Sequence, residues 1–513
     1  MKKKRNKTQD IKNKFKSYLK NPYPFILIIV IIFLSYFTLD KITYNSMISD
    51  EALYAWKAQK IYENPSYLLT NEAWEGHPPL ISSFVAILDI FLPFKLIIIA
   101  FPKFLFIFSL IIIYLLGKKI KNEFVGLLSA IFLAIKLSND YFINRLYLDV
   151  SLIIFFMLTL YYFFDIKKKP FLFGLFLVAF LLTKRVSIVI LPFLVILFLF
   201  KRYNLNKKKF GRSILFLVLI FSITIFIIHF YWKSVELNYS TFYLSFLLEH
   251  IRLICFLSLF FILVFINIKN MVKYKETYFV LVSWVVIIAP LLILFYPYEE
   301  YDLRHLLLIF PGIILFISLT LNDVISYFEK INLKKILKNI VIFLVFFLFL
   351  AFLINSSNQS NCFPHWNNLY QDVSKDIPRN SSIYMNTQSY RLLRFYSNKA
   401  YNYTHTGYSY SKKYEDYKPS YLIIRQRWLS TYRTDLFWFL NNNRSLSETG
   451  IYLKSLNFTL FKTYKQNFSK ECVPNNRTIK VREDFLKEFN GSYIDYYDDY
   501  IEKTEIIILR RDK

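Results

Sequence analysis

Cysteine, histidine and acidic side chains are all scarce in this chain. Its 3 cysteines are too few for a disulfide scaffold. Cys255 lies in an apolar run. Cys362 and Cys472 lie in a polar tail, where a disulfide and two free thiols are both open. The 6 histidines show no ligand spacing, so no metal cluster is legible. Only 9 glycines are present. There is no internal repeat of solenoid period. No cleavable leader pattern opens the chain, and its basic start followed by an apolar run reads as a signal anchor. Asp and Glu together number 36 against 64 Lys and Arg, a net charge of +28.

What is abundant is apolar. The 513 residues are 55% hydrophobic and include 55 Phe and 40 Tyr. A soluble domain of this size does not need so much apolar surface. Runs such as Phe25 to Leu39 and Ile340 to Ile354 are hydrophobic all round, which indicates lipid. The positive charge alone would suggest nucleic acid, but its placement argues otherwise. Lys and Arg gather in the N-terminal segment and in short loops between apolar runs: Lys118 to Lys121, Lys167 to Lys169, Lys201 to Arg212, Lys269 to Lys275 and Lys330 to Lys338. This is the positive-inside pattern of a membrane protein, and nucleic acid is not an expected partner.

The pattern predicts spans near 23–39, 96–116, 124–142, 150–165, 171–185, 187–201, 213–231, 251–268, 277–296, 305–321 and 339–354. Every basic loop then falls on the cytoplasmic side. Segment 78–94 is apolar but contains Asp89 and Pro93, so a helix in or along the outer interface is expected there. A single helix over 170–201 would bury Lys184 and Arg185 at mid-membrane, at a cost of several kcal/mol. Two short helices meeting at Thr183–Ser187 fit better, each only about 22 Å long.

From Asn355 onward the composition turns polar and rich in Tyr. Ile383 to Asn386, Tyr421 to Ile424 and Glu505 to Leu509 read as strands, and Arg391 to Ser397 as a short helix. The tail carries Asn-x-Ser/Thr patterns at Asn355, Asn358, Asn380, Asn402, Asn443, Asn457, Asn467, Asn476 and Asn490, which agrees with an outer location. Asn238, in another loop placed outside, heads the same pattern. The expected architecture is therefore an all-α polytopic membrane domain of about eleven transmembrane helices, followed by a small extracytoplasmic α/β domain. Residues 1–22 form a basic cytoplasmic N-terminus, 23–354 the membrane domain with its first outer loop at 40–95, and 355–513 the outer domain.

Four outer segments concentrate ionisable groups. In the first loop, Asp50 and Glu51 open a helix whose Ala52, Ala55, Ala58 and Ile61 repeat at helical spacing, an amphipathic helix near the membrane surface. A simple helix start favoured by the macrodipole explains Asp50 equally well in isolation. The loop ends in Glu75, Gly76, His77, Pro78 and Pro79. In the second, Arg145 and Asp149 lie four apart and would share a helical face as an ion pair or as site residues. The third is Lys184 with Arg185, and the fourth runs from Glu299 through Asp302, Arg304 and His305 into a span. Carboxylates and cations from separate loops thus map to one membrane face, where ionisable groups are functional candidates. Cations stabilise a departing phosphate, and one carboxylate suffices to take a proton from an acceptor hydroxyl.

These residues resemble the GT-C superfamily, in particular glycosyltransferase family 39, the protein O-mannosyltransferases and lipid A aminoarabinose transferases. The resemblance rests on Asp50–Glu51, then His77–Leu80 (HPPL), Arg145–Asp149 (RLYLD), Leu181–Arg185 (LLTKR) and Leu303–Pro311 (LRHLLLIFP), in that order over roughly residues 23–325. It implies a polyprenyl-phosphate sugar, such as a dolichyl-phosphate sugar, as donor, and transfer with inversion on the outer face. It implies Asp50 as catalytic base with Glu51 beside it. Arg145, Lys184 and Arg304 would contact the donor phosphate. Glu75, His77, Asp149 and His305 would belong to the cavity. Lys-Arg stands where many members have Lys-Gly, so Lys184 and Arg185 are both candidates for the phosphate. The tail lacks the repeated sugar-binding-like inserts of eukaryotic protein mannosyltransferases, so the acceptor is open between protein, lipid and glycan. A divalent cation (Mg2+ or Mn2+) recruited through Asp50 and Glu51 is also open. The rival readings are a polysaccharide polymerase or ligase, a lipid-linked sugar transporter and a non-enzymatic scaffold.

Overall fold

The computed structural model describes residues 22–38, 49–74, 77–137, 145–190, 307–327, 334–357, 366–385, 387–397, 402–404, 419–425, 455–467 and 503–511, with a few positions between 193 and 288. In chain order the described helices of ten or more residues are α1 (Pro22–Thr38), α2 (Ser49–Glu63), α3 (Leu80–Asp89), α4 (Phe94–Ile120), α5 (Glu123–Leu137), α6 (Leu148–Phe163), α7 (Pro170–Leu181), α8 (Phe310–Tyr327), α9 (Lys334–Ser357), α10 (Trp366–Asp376) and α11 (Thr387–Ser397). The strands are β1 (Ser382–Met385), β2 (Asn402–Thr404), β3 (Tyr421–Arg425), β4 (Phe458–Asn467) and β5 (Lys503–Arg511).

The chain forms two compact units that interleave in sequence. One holds residues 1–39, 70–81 and 101–356; the other holds 40–69, 82–100 and 357–513.

The first unit is a helical bundle. α4 is long and apolar enough to cross a membrane, as is the helix running over Leu307–Ser326; α1, α6, α7 and α9 contain shorter apolar stretches. The expected spans at 213–231 and 251–268 and most of those at 187–201 and 277–296 lie outside the described residues. Large apolar side chains face outward along these helices: Phe25, Ile28 and Ile32 on α1, and Phe343, Phe347 and Leu348 on α9. Such a surface belongs in lipid.

Inside the bundle the helices approach closely at small residues. A Cβ on Gly126 would stand 2.4 Å from the Tyr114 carbonyl oxygen, and one on Gly117 would stand 2.8 Å from Gly126 Cα, so α4 and α5 meet backbone to backbone. Gly312 likewise makes room for the buried Trp284 ring, whose Nε1 donates to the Leu308 carbonyl at 2.8 Å. At one end of the bundle Lys121 pairs with Asp323 at 3.1 Å and Asn122 donates to Asn322 at 3.0 Å, tying α4 and α5 to α8.

The break expected in 170–201 is present. Pro170 starts α7 at its first turn, where its missing N–H costs nothing. The helix stops at Leu181, and a 3-10 turn follows over Arg185–Ile190. Polar side chains take up the carbonyls left at the helix end: Thr183 Oγ1 donates to Ala179 at 2.7 Å, and Ser187 Oγ donates to Leu181 at 3.1 Å.

The second unit contains a five-stranded sheet in the order β2-β1-β3-β5-β4. β1 pairs parallel with β2 and β3, while β5 runs antiparallel between β3 and β4. β1 and β3 are short apolar runs, and Ile383, Tyr384, Met385, Leu422 and Ile423 are all buried. α11 connects β1 to β2, and α10 packs on α11 and β4. The strands expected at 383–386, 421–424 and 505–509 and the helix at 391–397 appear as β1, β3, β5 and α11. α10, β2 and β4 were not expected. Asn380 and Asn457, both at φ 63°, turn the chain just before β1 and β4, a conformation asparagine tolerates.

α3 has 10 residues, roughly 15 Å of helix, too short to cross a bilayer. Its Phe84 and Ile87 are exposed while Ile81 and Val85 are buried, as suits a helix lying along an interface. Burial raises the carboxyl of Asp89, which ends it.

Candidate active site

Asp50 and Glu51 occupy the first turn of α2, where the helix dipole favours negative charge. The sequence suggested an amphipathic helix, and the structure corrects this. Ala52, Tyr54, Ala55, Trp56, Lys57, Ala58 and Ile61 are buried, so α2 is enclosed on nearly every side. The cause is packing that the sequence pattern did not show: α11 lies against α2, and the turn Pro65–Leu69 folds back on it. Two arginines one turn apart on α11 make the contact specific. Arg391 Nη1 donates to Asp50 Oδ1 at 2.7 Å, and the Arg394 guanidinium carbon lies 3.5 Å from the centre of the Trp56 ring. Trp56 also meets Tyr67 edge to face. Glu51 is buried, and Lys57, two turns after Asp50, is 1% exposed.

A second cluster lies in the bundle. The sequence placed Arg145 and Asp149 on one helical face, but α6 begins at Leu148, with Tyr147 extended before it (φ −91°, ψ 140°). Arg145 therefore precedes the helix. Asp149 accepts from Lys184 Nζ at 2.7 Å, across 35 residues, with both side chains buried. The break after α7 makes this possible: it sets Lys184 between a helix end and a 3-10 turn. Arg145 is 6% exposed, so three charged groups from two chain breaks are packed into an apolar bundle. Groups of this kind are rarely buried without a task.

His77 is half-buried just ahead of α3. Glu75, Arg304, His305 and the side chain of Arg185 lie outside the described residues, as do Cys255, Cys362 and Cys472. Sequence reasoning missed Arg391, Arg394 and Lys57. A signal was present for each: two arginines at i, i+3 in a segment already read as helix, and a lone lysine flanked by Ala55, Trp56 and Ala58. For a divalent cation, no group of three His, Cys, Asp or Glu side chains comes together among the described residues, and Asp50 is engaged by a guanidinium. The described residues therefore do not by themselves fit a metal.

No protein-family profile matches the chain, and no curated protein matches it. Solved structures do. The archaeal oligosaccharyltransferase AglB from Archaeoglobus fulgidus, in complex with an inhibitory peptide and a dolichol-phosphate, superposes with a TM-score of 0.63 at 9% identity, covering 96% of this chain and 89% of that one. The Archaeoglobus fulgidus oligosaccharyltransferase tethered to an acceptor peptide with the NVT sequon gives a TM-score of 0.61 at 10% identity, covering 96% and 89%. Its complex with zinc and sulfate gives 0.59 at 10% identity, covering 95% and 88%. Over nearly its whole length the chain thus has the fold of the Archaeoglobus fulgidus oligosaccharyltransferase, a likeness in line with the GT-C resemblance of its ordered motifs.

Proposed function

We propose that this protein is a membrane glycosyltransferase that moves a sugar from a polyprenyl-phosphate donor to an acceptor on the outer face of the membrane. The observation that carries this reading is the buried set Arg145, Asp149 and Lys184 at helix ends. In hydrocarbon such charges are costly, and cations held there suit a phosphate headgroup on a lipid. The fold supports the reading.

Asp50 takes the proton from the acceptor nucleophile, with Glu51 beside it. The nucleophile attacks the anomeric carbon from the face opposite the phosphate, so the configuration inverts. The bond from the anomeric carbon to the phosphate oxygen breaks, and its electron pair leaves on the phosphate. Arg145, Lys184 and Arg304 neutralise that charge, with Arg185 as the alternative to Lys184. Asp149 holds Lys184 in place through its 2.7 Å contact. Glu75, His77 and His305 line the acceptor side. The N-terminus is cytoplasmic and residues 355–513 face outward, where they help bind the acceptor.

A hydroxyl is the acceptor implied by the family 39 resemblance. A second reading, transfer to the amide of an Asn-x-Ser/Thr peptide, is favoured by the likeness to a protein solved with an acceptor peptide of that type. The test uses purified protein in detergent, a panel of radiolabelled polyprenyl-phosphate sugars, and serine, asparagine-sequon and lipid acceptors. Transfer of label to one acceptor class is expected. Failure of every donor to bind would bring the polymerase and transporter readings forward.

A further inference from the structure

The contact between α2 and α11 links the proposed base to the sheet domain, and both helices belong to the same compact unit. We infer that Arg391 is a positioning residue for the transfer step: its guanidinium holds the Asp50 carboxylate in a fixed orientation, so that α11 and the sheet behind it set the geometry of the base. The inference rests on the reading of Asp50 as that base.

Three observations support it. The Asp50–Arg391 pair is a single charge-assisted hydrogen bond, Nη1 to Oδ1 at 2.7 Å. Both side chains are 25% exposed, so the pair is neither sealed in a core nor a loose surface contact. Its neighbour on the same helix, Arg394, lies 3.5 Å from the Trp56 ring centre, which fixes where α11 sits on α2. α11 is held in turn by its own buried face, Leu392, Leu393 and Tyr396, and by α10. The carboxylate is thus oriented from 341 residues away in sequence by a helix that is part of the sheet domain. A base displaced by an ångström loses much of its rate, because the proton transfer needs hydrogen-bond geometry.

The test compares wild type, Arg391→Ala, Arg391→Lys and Asp50→Asn in full-length protein, with the donor that wild type uses. Arg391→Ala is expected to lower kcat about 10- to 100-fold with little change in KM for donor. Arg391→Lys keeps a cation able to make one hydrogen bond and is expected to restore most of the rate, as is millimolar guanidinium added to Arg391→Ala. An unchanged kcat in Arg391→Ala would overturn the inference. So would a loss that neither lysine nor guanidinium restores and that follows a lowered unfolding temperature, since the pair would then be only structural. Asp50→Asn separates the two levels: if it transfers sugar normally, the base reading itself fails; if it is inactive while Arg391→Ala is normal, only the positioning role fails.

Discussion

The pairs Asp149–Lys184 and Asp50–Arg391 have the same length, 2.7 Å, in different surroundings. In the bundle pair the side chains are 5% and 7% exposed; in the pair between α2 and α11 both are 25% exposed. Burial changes what a pair is for. The bundle pair cannot lose one partner cheaply, because the remaining charge would lose its 2.7 Å contact in apolar surroundings. The other pair has access to water, and its carboxylate can lose its partner and still be solvated. The first therefore suits a fixed electrostatic feature, and the second a group that must exchange a proton during turnover.

The comparison is broken most severely in the bundle. Lys184→Met removes the 2.7 Å partner of a buried carboxylate and should cost about 3–5 kcal/mol, read as a fall in thermal unfolding temperature in detergent. Lys184→Met with Asp149→Leu should recover most of that stability while transfer stays lost. If the double variant transfers sugar, Lys184 is only structural.

Two glycines compare a close approach with an open position in the same bundle. Gly126→Ala meets backbone at 2.4 Å and should destabilise the bundle by about 1–3 kcal/mol. Gly174 in α7 has nothing within 4 Å of its would-be Cβ, so Gly174→Ala should stabilise, by about 0.5–1 kcal/mol, through helix propensity alone. Equal effects at the two sites would contradict the close approach of α4 and α5.

The smallest effect concerns pH. The hydrogen bond from Lys119 holds the Asp165 carboxyl below its ordinary value. A depressed carboxylate contributes stability that is complete above its unfolded value, about 4, and is lost as pH falls through the folded value. Unfolding temperature should therefore fall less steeply below pH 4 in Asp165→Asn than in wild type. The Lys119–Asp165 contact is partly exposed, so the difference should be a few tenths of a kcal/mol.

Much of the fold was legible because lipid imposes simple patterns. Runs that are apolar all round, basic loops and an interrupting Lys184–Arg185 were enough to place the described helices of the bundle and the break after Leu181. The short buried strands β1 and β3 announced themselves as apolar runs. β4 did not, because it is an edge strand carrying Lys462 and Lys465 among its apolar residues. The residues Asp50, Arg145, Asp149 and Lys184 were found as ordered motifs. Their partners were not. Nearness in sequence drew attention to Arg145 with Asp149, and it did not show that the fold also brings Lys184 to Asp149 and Arg391 to Asp50. Contacts across 35 and 341 residues are made by tertiary packing, and no local period encodes them.

The most direct test of the account is sugar transfer by Asp50→Asn, followed together with donor binding and thermal unfolding. The account predicts a loss of transfer of about 100- to 10,000-fold with donor binding and unfolding temperature unchanged. Transfer at the wild-type rate would contradict it, because the proposed base would then have no part in the reaction.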